Sequence, residues 1–282
     1  MDRRAFVCAG IGSAILANSG HFAAAQPAPQ DHSLGLRFIP KPDFDRLRKD
    51  QRLRGALPKS ASVKNMTPAI GDQGPQGSCV GWSVGYGLAG TLLNRKGKAI
   101  RTSPAYIYNR GMLIDSAANN QRPNCGNGMY IETALSYLQG FGILSLQDYP
   151  YDLNSCGRLP KLWEDQAARQ QRVIKDWTTA KDLISVKGSL AAGLPAVIGI
   201  QLCQSFLKHS GPGVYAPNPG EGYIGGHAML VVGYDDDRRA FQLMNSWRPS
   251  WGDQGYAWVS YETIARDATV DGSLRMYTVQ EA

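Results

Sequence analysis

The hydrophobic and polar positions divide the chain into a first half with apolar segments of helical length and a last third with shorter apolar runs. Residues 79–93 are mostly apolar and follow a polar loop rich in glycine and proline, which predicts a buried helix beginning at Cys79. Ser103 and Pro104 have the N-cap and first-turn chemistry that begins a second helix. Residues 129–139 are amphipathic and predict a third helix.

The last third has the pattern of an antiparallel sheet. After a predicted helix at 181–192, apolar runs of strand length occupy residues 195–202, 227–234, 240–247 and 255–261. Short polar segments between the last three runs predict hairpin turns. Helices in the first half and strands in the last third together predict an α+β protein with two lobes.

We expect these lobes to form one domain at residues 61–282, with a helical lobe at about 70–160 and a β-rich lobe at about 177–282. The charged residues 158–176 are expected to be helical and to bridge the two halves. Residues 26–60 are polar and rich in Pro, Lys, Arg and Asp, which predicts an irregular N-terminal arm. We expect this arm to lie on the surface, although a segment of its length can also cover a groove.

Residues 1–25 have the features of an export signal. Arg3 and Arg4 precede an apolar stretch that is shorter than the ~20 residues needed to span a bilayer. Ala23 to Ala25 then supply the small residues of a cleavage site. The adjacent arginines resemble a bacterial twin-arginine signal, and an ordinary secretory signal is the alternative. Either interpretation predicts export to the periplasm or the extracellular space, without a membrane anchor.

Length and composition are those of a globular protein with a full core. The chain has 282 residues, of which 43% are hydrophobic and 19% charged. The net charge is +7, but the basic residues are scattered rather than clustered, so we expect no nucleic-acid partner. No CxxC pair or His-rich spacing is present, and we expect neither a metal site nor a cofactor. We expect a monomer.

Four cysteines follow the predicted export signal: Cys79, Cys125, Cys156 and Cys203. In an oxidising compartment some of them should pair, and we predict a disulfide between Cys125 and Cys156. Cys203 follows the apolar run at 195–202 and has no basic residue near it in sequence. We therefore expect Cys203 to be a buried or partly buried free thiol.

Cys79 is the candidate nucleophile because of its place at the start of a helix. The backbone N–H groups of a first helical turn and the helix dipole favour a thiolate, which is the reactive form of cysteine. Gln73 lies on the preceding loop, where its carboxamide can donate to a developing oxyanion together with the Cys79 N–H. The alternative interpretation of Cys79 is a buried structural cysteine.

His227 and Asn245 are the candidate base and orienting group. Gly225 and Gly226 precede His227 at the entry to one predicted strand, and Asn245 ends the next. Because strands joined by a hairpin are neighbours, Asn245 can accept a hydrogen bond from the imidazole and fix its tautomer. Trp247 can shield that hydrogen bond from water. The alternatives are a structural histidine and a strand-ending asparagine in a turn.

Several motifs together resemble those of the papain-like cysteine peptidases. They occur in the family's order and are Gln73-Gly-Pro-Gln-Gly-Ser-Cys79, Gly226-His227-Ala228, and Asn245-Ser246-Trp247 followed by Trp251-Gly252-Asp-Gln-Gly255-Tyr256. The resemblance runs from about residue 68 to the C-terminus and fits an exported bacterial branch of the family. It implies a papain-like two-lobe fold, with a helical left lobe, an antiparallel barrel-like right lobe and the active site in the cleft between them.

The same resemblance implies a role for each matching residue. Cys79 is expected to be the nucleophile, His227 the base and then the acid, Asn245 the orienting group and Gln73 the oxyanion donor. Trp247 is expected to cover the His–Asn pair at the substrate site. The loop ending at Gly128 resembles the one whose glycine backbone holds an extended peptide, which makes Gly128 a candidate for substrate binding.

These observations favour an exported cysteine endopeptidase that hydrolyses peptide bonds of an extended polypeptide through a thioester intermediate. A second hypothesis applies the same Cys–His chemistry to a cell-wall peptide or to acyl transfer to an amine. A third is a non-catalytic groove that binds peptides, which intact Cys79, His227 and Asn245 argue against.

Overall fold

A helix that begins at Cys79, as predicted, forms the centre of the first lobe. The computed structural model describes residues 33–51 and 55–282, so the predicted export signal at 1–25 lies outside the described residues. The helices are α1 (Lys41–Asp45), a π-helix (Gly81–Leu88), α2 (Ala89–Arg95), α3 (Pro104–Ala118), α4 (Ile131–Phe141), α5 (Leu162–Ala168), α6 (Leu183–Ala191), α7 (Gln204–Leu207) and α8 (Tyr261–Asp267), with 3-10 turns at Lys64–Met66 and Arg169–Gln171.

Glycines in the π-helix allow α3 to pack unusually close. A Cβ at Gly81 would lie 2.7 Å from the Tyr108 Cβ, and one at Gly85 would lie 2.8 Å from Cγ1 of Ile107. Glycine lowers the intrinsic stability of a helix, but here it permits a contact between two backbones that a larger residue would prevent. This close contact with α3 fixes the position of the helix that carries Cys79.

The cap and the disulfide predicted for the first lobe are confirmed. The Ser103 hydroxyl accepts a hydrogen bond from the Tyr106 N–H at 3.1 Å and caps α3. Cys125 and Cys156 form a disulfide with their Cα atoms 5.5 Å apart. Cys203 is a buried free thiol, also as predicted.

A long, mostly antiparallel sheet forms the second lobe. The strands of the described residues are β1 (Leu36–Arg37), β2 (Ser60–Ser62), β3 (Met129–Tyr130), β4 (Ile174–Thr179), β5 (Ala196–Cys203), β6 (Val214–Tyr215), β7 (Tyr223–Asp235), β8 (Ala240–Met244), β9 (Tyr256–Ser260), β10 (Thr269–Val270), β11 (Ser273–Leu274) and β12 (Met276–Glu281). The main path of the sheet follows the order β4-β12-β5-β7-β8-β9-β6, and β10 and β11 form a separate two-stranded ribbon.

Two local predictions differ from the observed elements. The charged segment 158–176 was expected to be helical throughout, but after α5 and a 3-10 turn it enters β4 at Ile174. The strand expected at 240–247 ends at Met244, because the next residues turn toward the first lobe. There Trp247 forms an isolated bridge with Asp72, so the end of β8 reaches the loop that precedes Cys79.

The N-terminal arm does not lie on the surface as expected; it crosses the cleft between the lobes. In β1, Leu36 pairs in parallel with Met129 of β3 and in antiparallel with Gly226 of β7. Further along the arm, Phe44 of α1 is 4% exposed, and β2 pairs with the C-terminal end of β7. The arm is therefore part of the sheet and of the core rather than a peripheral segment.

Candidate active site

The Cys79 sulfur lies at the start of the central helix, next to the strand that carries His227. Backbone N–H groups of Ala228, Gly35 and Val80 hydrogen-bond to it, and Ala228 directly follows His227 in β7. Burial raises the pKa of the Cys79 thiol to about 11, while these N–H groups act in the opposite direction. In the described conformation burial therefore opposes the thiolate that the helix start alone favours.

His227 and Asn245 form the hydrogen bond that their neighbouring strands predict. The His227 Nε2 and Asn245 Oδ1 atoms are 2.8 Å apart, and the Ser246 N–H donates to the same oxygen at 2.8 Å. Because an amide oxygen only accepts hydrogen bonds, Nε2 carries the proton in the neutral ring. The basic nitrogen is then Nδ1, on the edge of the ring away from Asn245.

Trp247 lies over the imidazole and excludes solvent from it. The ring centroids of His227 and Trp247 are 4.5 Å apart with an interplanar angle of 31°. Both side chains are 0% exposed. In this apolar surrounding the His227–Asn245 hydrogen bond does not compete with water, which stabilises the orientation of the ring.

Gln73 is held rigidly with its amide directed into the cleft. Its Oε1 accepts from the Ser246 hydroxyl at 2.7 Å, and its backbone carbonyl accepts from the Tyr151 hydroxyl at 2.7 Å. The Nε2 group donates to the backbone carbonyl of Ser33 in the arm at 2.7 Å, and to that of Gln76 at 3.0 Å. A carbonyl oxygen of the chain itself thus accepts from the group predicted to stabilise an oxyanion.

The arm blocks the cleft through backbone contacts on both of its sides. The Gly35 carbonyl accepts from the Met129 N–H at 2.9 Å. A Cβ on Gly128 would lie 1.9 Å from the Gly35 oxygen, and a Cβ on Gly35 would lie 1.9 Å from the Gly77 oxygen. Glycine is required at both positions for this approach. The arm therefore lies against Gly128, the residue predicted to bind substrate. The hydrogen bond to the arm, however, comes from the N–H of the next residue, Met129.

Comparisons with known proteins identify the family of the chain. The model of the papain family cysteine proteases matches residues 57–271. The chain belongs to this family. A peptidase C1-like protein of Acanthamoeba polyphaga mimivirus is 26% identical over 69% of this chain and 65% of its own length. Mouse cathepsin K is 29% identical over 72% of this chain and 60% of its own length. The chain thus spans less than two thirds of either relative.

Solved structures of papain-like proteases share the fold. Xylellain, a cysteine protease from Xylella fastidiosa, has a TM-score of 0.74 at 21% identity, covering 91% of this chain and 100% of that protein. The proform of Amb a 11, a cysteine protease of ragweed pollen, has a TM-score of 0.62 at 23% identity, covering 81% of this chain and 68% of the other. The predicted α+β two-lobe, papain-like fold is confirmed.

Two residues of this papain-family site were not predicted from sequence. Ser246 fixes both Asn245 and Gln73, and Tyr151 holds the Gln73 carbonyl while its hydroxyl also lies 2.6 Å from the Ser78 hydroxyl. Ser246 lies between Asn245 and Trp247 in one of the family motifs, so its place in the sequence could have indicated a role at the site. Tyr151 had none, because the contact joins positions far apart in sequence.

In the part of the chain that the structure describes, no group of three or more His, Cys, Asp and Glu side chains is placed to hold a metal ion. In residues 33–51 and 55–282, no helix is long and apolar enough to cross a bilayer.

Proposed function

We propose that the chain is a cysteine peptidase with Cys79 as nucleophile, His227 as base and Asn245 as orienting group. The observation that carries the proposal is the position of the Cys79 sulfur. It accepts a hydrogen bond from the backbone N–H of Ala228, the residue after His227. Nε2 of the His227 imidazole in turn lies 2.8 Å from Oδ1 of Asn245. A nucleophile, a base and an orienter in this sequence of contacts perform acyl transfer.

The reaction begins with transfer of the thiol proton to Nδ1 of His227 and attack of the sulfur on a peptide carbonyl carbon. The carbonyl oxygen becomes an oxyanion, which accepts hydrogen bonds from the Gln73 amide and the Cys79 N–H. The C–N bond then breaks, and the imidazolium gives its proton to the departing amine. Water, deprotonated by the same imidazole, hydrolyses the thioester and releases the free thiol.

The substrate of this reaction is an extended polypeptide, and the conformation described is the latent form of the enzyme. The arm occupies the cleft in extended conformation, with its Ser33 carbonyl on Gln73 and its Gly35 N–H on the sulfur. A peptide bound in the same groove would present a carbonyl to Gln73 in the same way. Displacement of the arm is therefore the step that admits substrate.

We also propose that the protein functions outside the cytoplasm as a monomer; the predicted export signal and the disulfide between Cys125 and Cys156 support this location. The periplasm or the extracellular space is the proposed location. Fractionation of the producing cells, with the N-terminus of the mature chain sequenced, tests this proposal.

The proposed chemistry is tested by adding Cys79→Ala to a Gly35→Ala chain, in which a Cβ at residue 35 would lie 1.9 Å from the Gly77 oxygen and so displace the arm from the cleft. Peptidase activity on casein and on short fluorogenic peptides should disappear, and iodoacetamide should no longer modify the tryptic peptide that contains residue 79. An unchanged rate in Cys79→Ala excludes the mechanism. Turnover of peptidoglycan fragments, without cleavage of peptides, would instead establish the acyl-transfer alternative. Absence of labelling in an opened form would establish a non-catalytic peptide-binding protein.

A further inference from the structure

Arg275 is the one fully buried arginine in the described residues. It is 0% exposed, and its Nε and both terminal nitrogens have no hydrogen-bond partner. The backbone is well held, since the Arg275 carbonyl accepts from the Gly199 N–H at 2.8 Å. A buried guanidinium without well-formed hydrogen bonds is energetically unfavourable, and the contact with the Phe44 ring offsets only part of that cost.

The guanidinium lies under the arm, at the floor of the cleft. Its carbon is 4.0 Å from the Phe44 ring centroid and 5.9 Å from that of Phe38. The Phe38 ring rests on β5 and β7, within 3.3 Å of a Cβ placed at Gly199 and 3.0 Å of one placed at Gly226. Gly226 precedes His227, so this floor adjoins the catalytic groups.

Glycine at position 199 makes the floor deep enough to take a side chain. A Cβ there would lie 2.8 Å from Cδ2 of Leu36 and 3.1 Å from Cδ1 of Ile131. Leu36 and Phe38, two residues apart on the extended arm, therefore both fill this pocket. When the arm leaves, the pocket opens, with Arg275 at its base and apolar groups on its walls.

The nearest acidic group does not neutralise Arg275 by direct contact. Glu132 accepts a hydrogen bond from the Tyr277 hydroxyl, and none joins it to Arg275. Burial raises the pKa of both Glu132 and Tyr277, and the charge of Arg275 opposes that rise. The charge of Arg275 thus acts on both groups, and its guanidinium also approaches the Tyr277 hydroxyl.

We propose that Arg275 is a specificity-determining residue that selects an acidic side chain, Asp or Glu, close to the scissile bond of the substrate. This inference rests on the proposed peptidase function and names the substrate class of the same cleft. A carboxylate entering between the apolar walls would form charge-assisted, bidentate hydrogen bonds with the guanidinium. The arm instead covers the guanidinium with the Phe44 ring, whose face attracts a cation less strongly than a carboxylate does.

The full chain provides a direct test, because residue 38 can carry the acidic group itself. Phe38→Glu and Phe38→Gln differ only in charge and are compared in the parent and in Arg275→Met backgrounds. A buried charge-assisted hydrogen bond is worth about 1.5–3 kcal/mol. The arm with the Phe38→Glu change should therefore open at least about tenfold less often than the arm with the Phe38→Gln change. In Arg275→Met the two should open equally, and Arg275→Lys should restore part of the difference.

Two readouts separate this proposal from the catalytic one. Amide hydrogen exchange at residues 35–37 measures arm opening without reference to the sulfur, and iodoacetamide labelling measures access to Cys79. Equal exchange in Phe38→Glu and Phe38→Gln overturns the role of Arg275, whatever the sulfur does. Slow exchange in Phe38→Glu with an unreactive Cys79 in every variant supports the pocket and overturns the peptidase proposal.

Substrate selection is then measured with the Phe38→Gln chain and a peptide library varied at three residues on each side of the scissile bond. Acidic residues should be enriched at one position, and Arg275→Met should remove the enrichment while Arg275→Lys keeps part of it. Thermal unfolding of each variant identifies any that fail to fold, in which case Arg275→Lys carries the comparison. A library without acidic preference in the parent background contradicts the proposal.

Discussion

Gly35→Ala is expected to drive the arm out of the cleft and expose Cys79. A Cβ at Gly35 would lie 1.9 Å from the Gly77 carbonyl oxygen and 2.5 Å from the Gly77 Cα. Both contacts are to backbone atoms of the loop that precedes Cys79, so no side-chain rotation can relieve them. The arm and that loop cannot then stay in contact, and the hydrogen bond from the Gly35 N–H to the sulfur is lost.

The size of the effect follows from the pKa of the thiol. Burial holds the Cys79 pKa at about 11, against an ordinary value of 9.0. If opening the cleft only restores the ordinary value, the thiolate fraction near neutral pH rises about a hundredfold, since each pKa unit is a factor of ten. Access of the reagent adds to this, so labelling should accelerate by about two orders of magnitude or more.

The assay is the rate of iodoacetamide labelling of Cys79 between pH 6 and 11, with the modified peptide identified by mass spectrometry. The parent rate should keep rising with pH toward about 11, whereas Gly35→Ala should level off at lower pH. Gly55→Ala is the matched control, because a Cβ at that arm position meets nothing within 4 Å. Equal rates and equal pH profiles for all three chains would refute the blocking role of the arm.

Three further predictions use the Gly35→Ala chain, in which activity can be measured. Gln73→Ala should lower kcat by about 10²–10³, as expected for one oxyanion donor, and a change in KM alone would contradict that role. Asn245→Ala should lower kcat by at least about tenfold by freeing the imidazole, and an unchanged pH–rate profile would argue against orientation. Replacing Cys125 and Cys156 by Ser removes the disulfide that joins these two positions, which are 31 residues apart in sequence. The free energy of unfolding should fall by about 2–4 kcal/mol in urea titrations, whereas an unchanged midpoint would assign the disulfide no role in stability.

The candidate site residues could be picked out from sequence because each lies beside a strong local signal. Cys79 follows a glycine-rich loop at a helix start, and His227 and Asn245 lie on strands separated by a short polar turn. The hairpin between β7 and β8 brings those two residues together without any long-range information. Local pattern and spacing were sufficient wherever neighbours in sequence are neighbours in space.

Features that depend on distant pairing could not be predicted in the same way. The short strand at Leu36 has two partners, Met129 and Gly226, far along the chain, and only two residues of its own. Nothing in its composition distinguishes it from a surface arm. The strand β4 begins in a charged segment whose local pattern predicts a helix. It forms a strand because it pairs with β12, the last strand of the chain, and that pairing cannot be seen in the local sequence.

Arg275 illustrates the same limit for electrostatics. In the sequence it is one of 30 basic residues, most of which belong on the surface. Its burial follows from the packing of Phe44, an arm residue, onto the end of the sheet. The burial of Arg275 therefore could not be predicted from sequence, because it depends on contact between the N-terminal arm and the C-terminal part of the sheet.

The strand in the cleft and the elements that fasten it belong to one polypeptide. Its occupancy therefore does not depend on protein concentration, and dilution should leave the cleft blocked. A free peptide with the same contacts has to compete against a tethered segment, whose effective concentration reaches the millimolar range for short connections. Activators would accordingly be agents that cut or pull the tether, rather than conditions that merely disperse the protein.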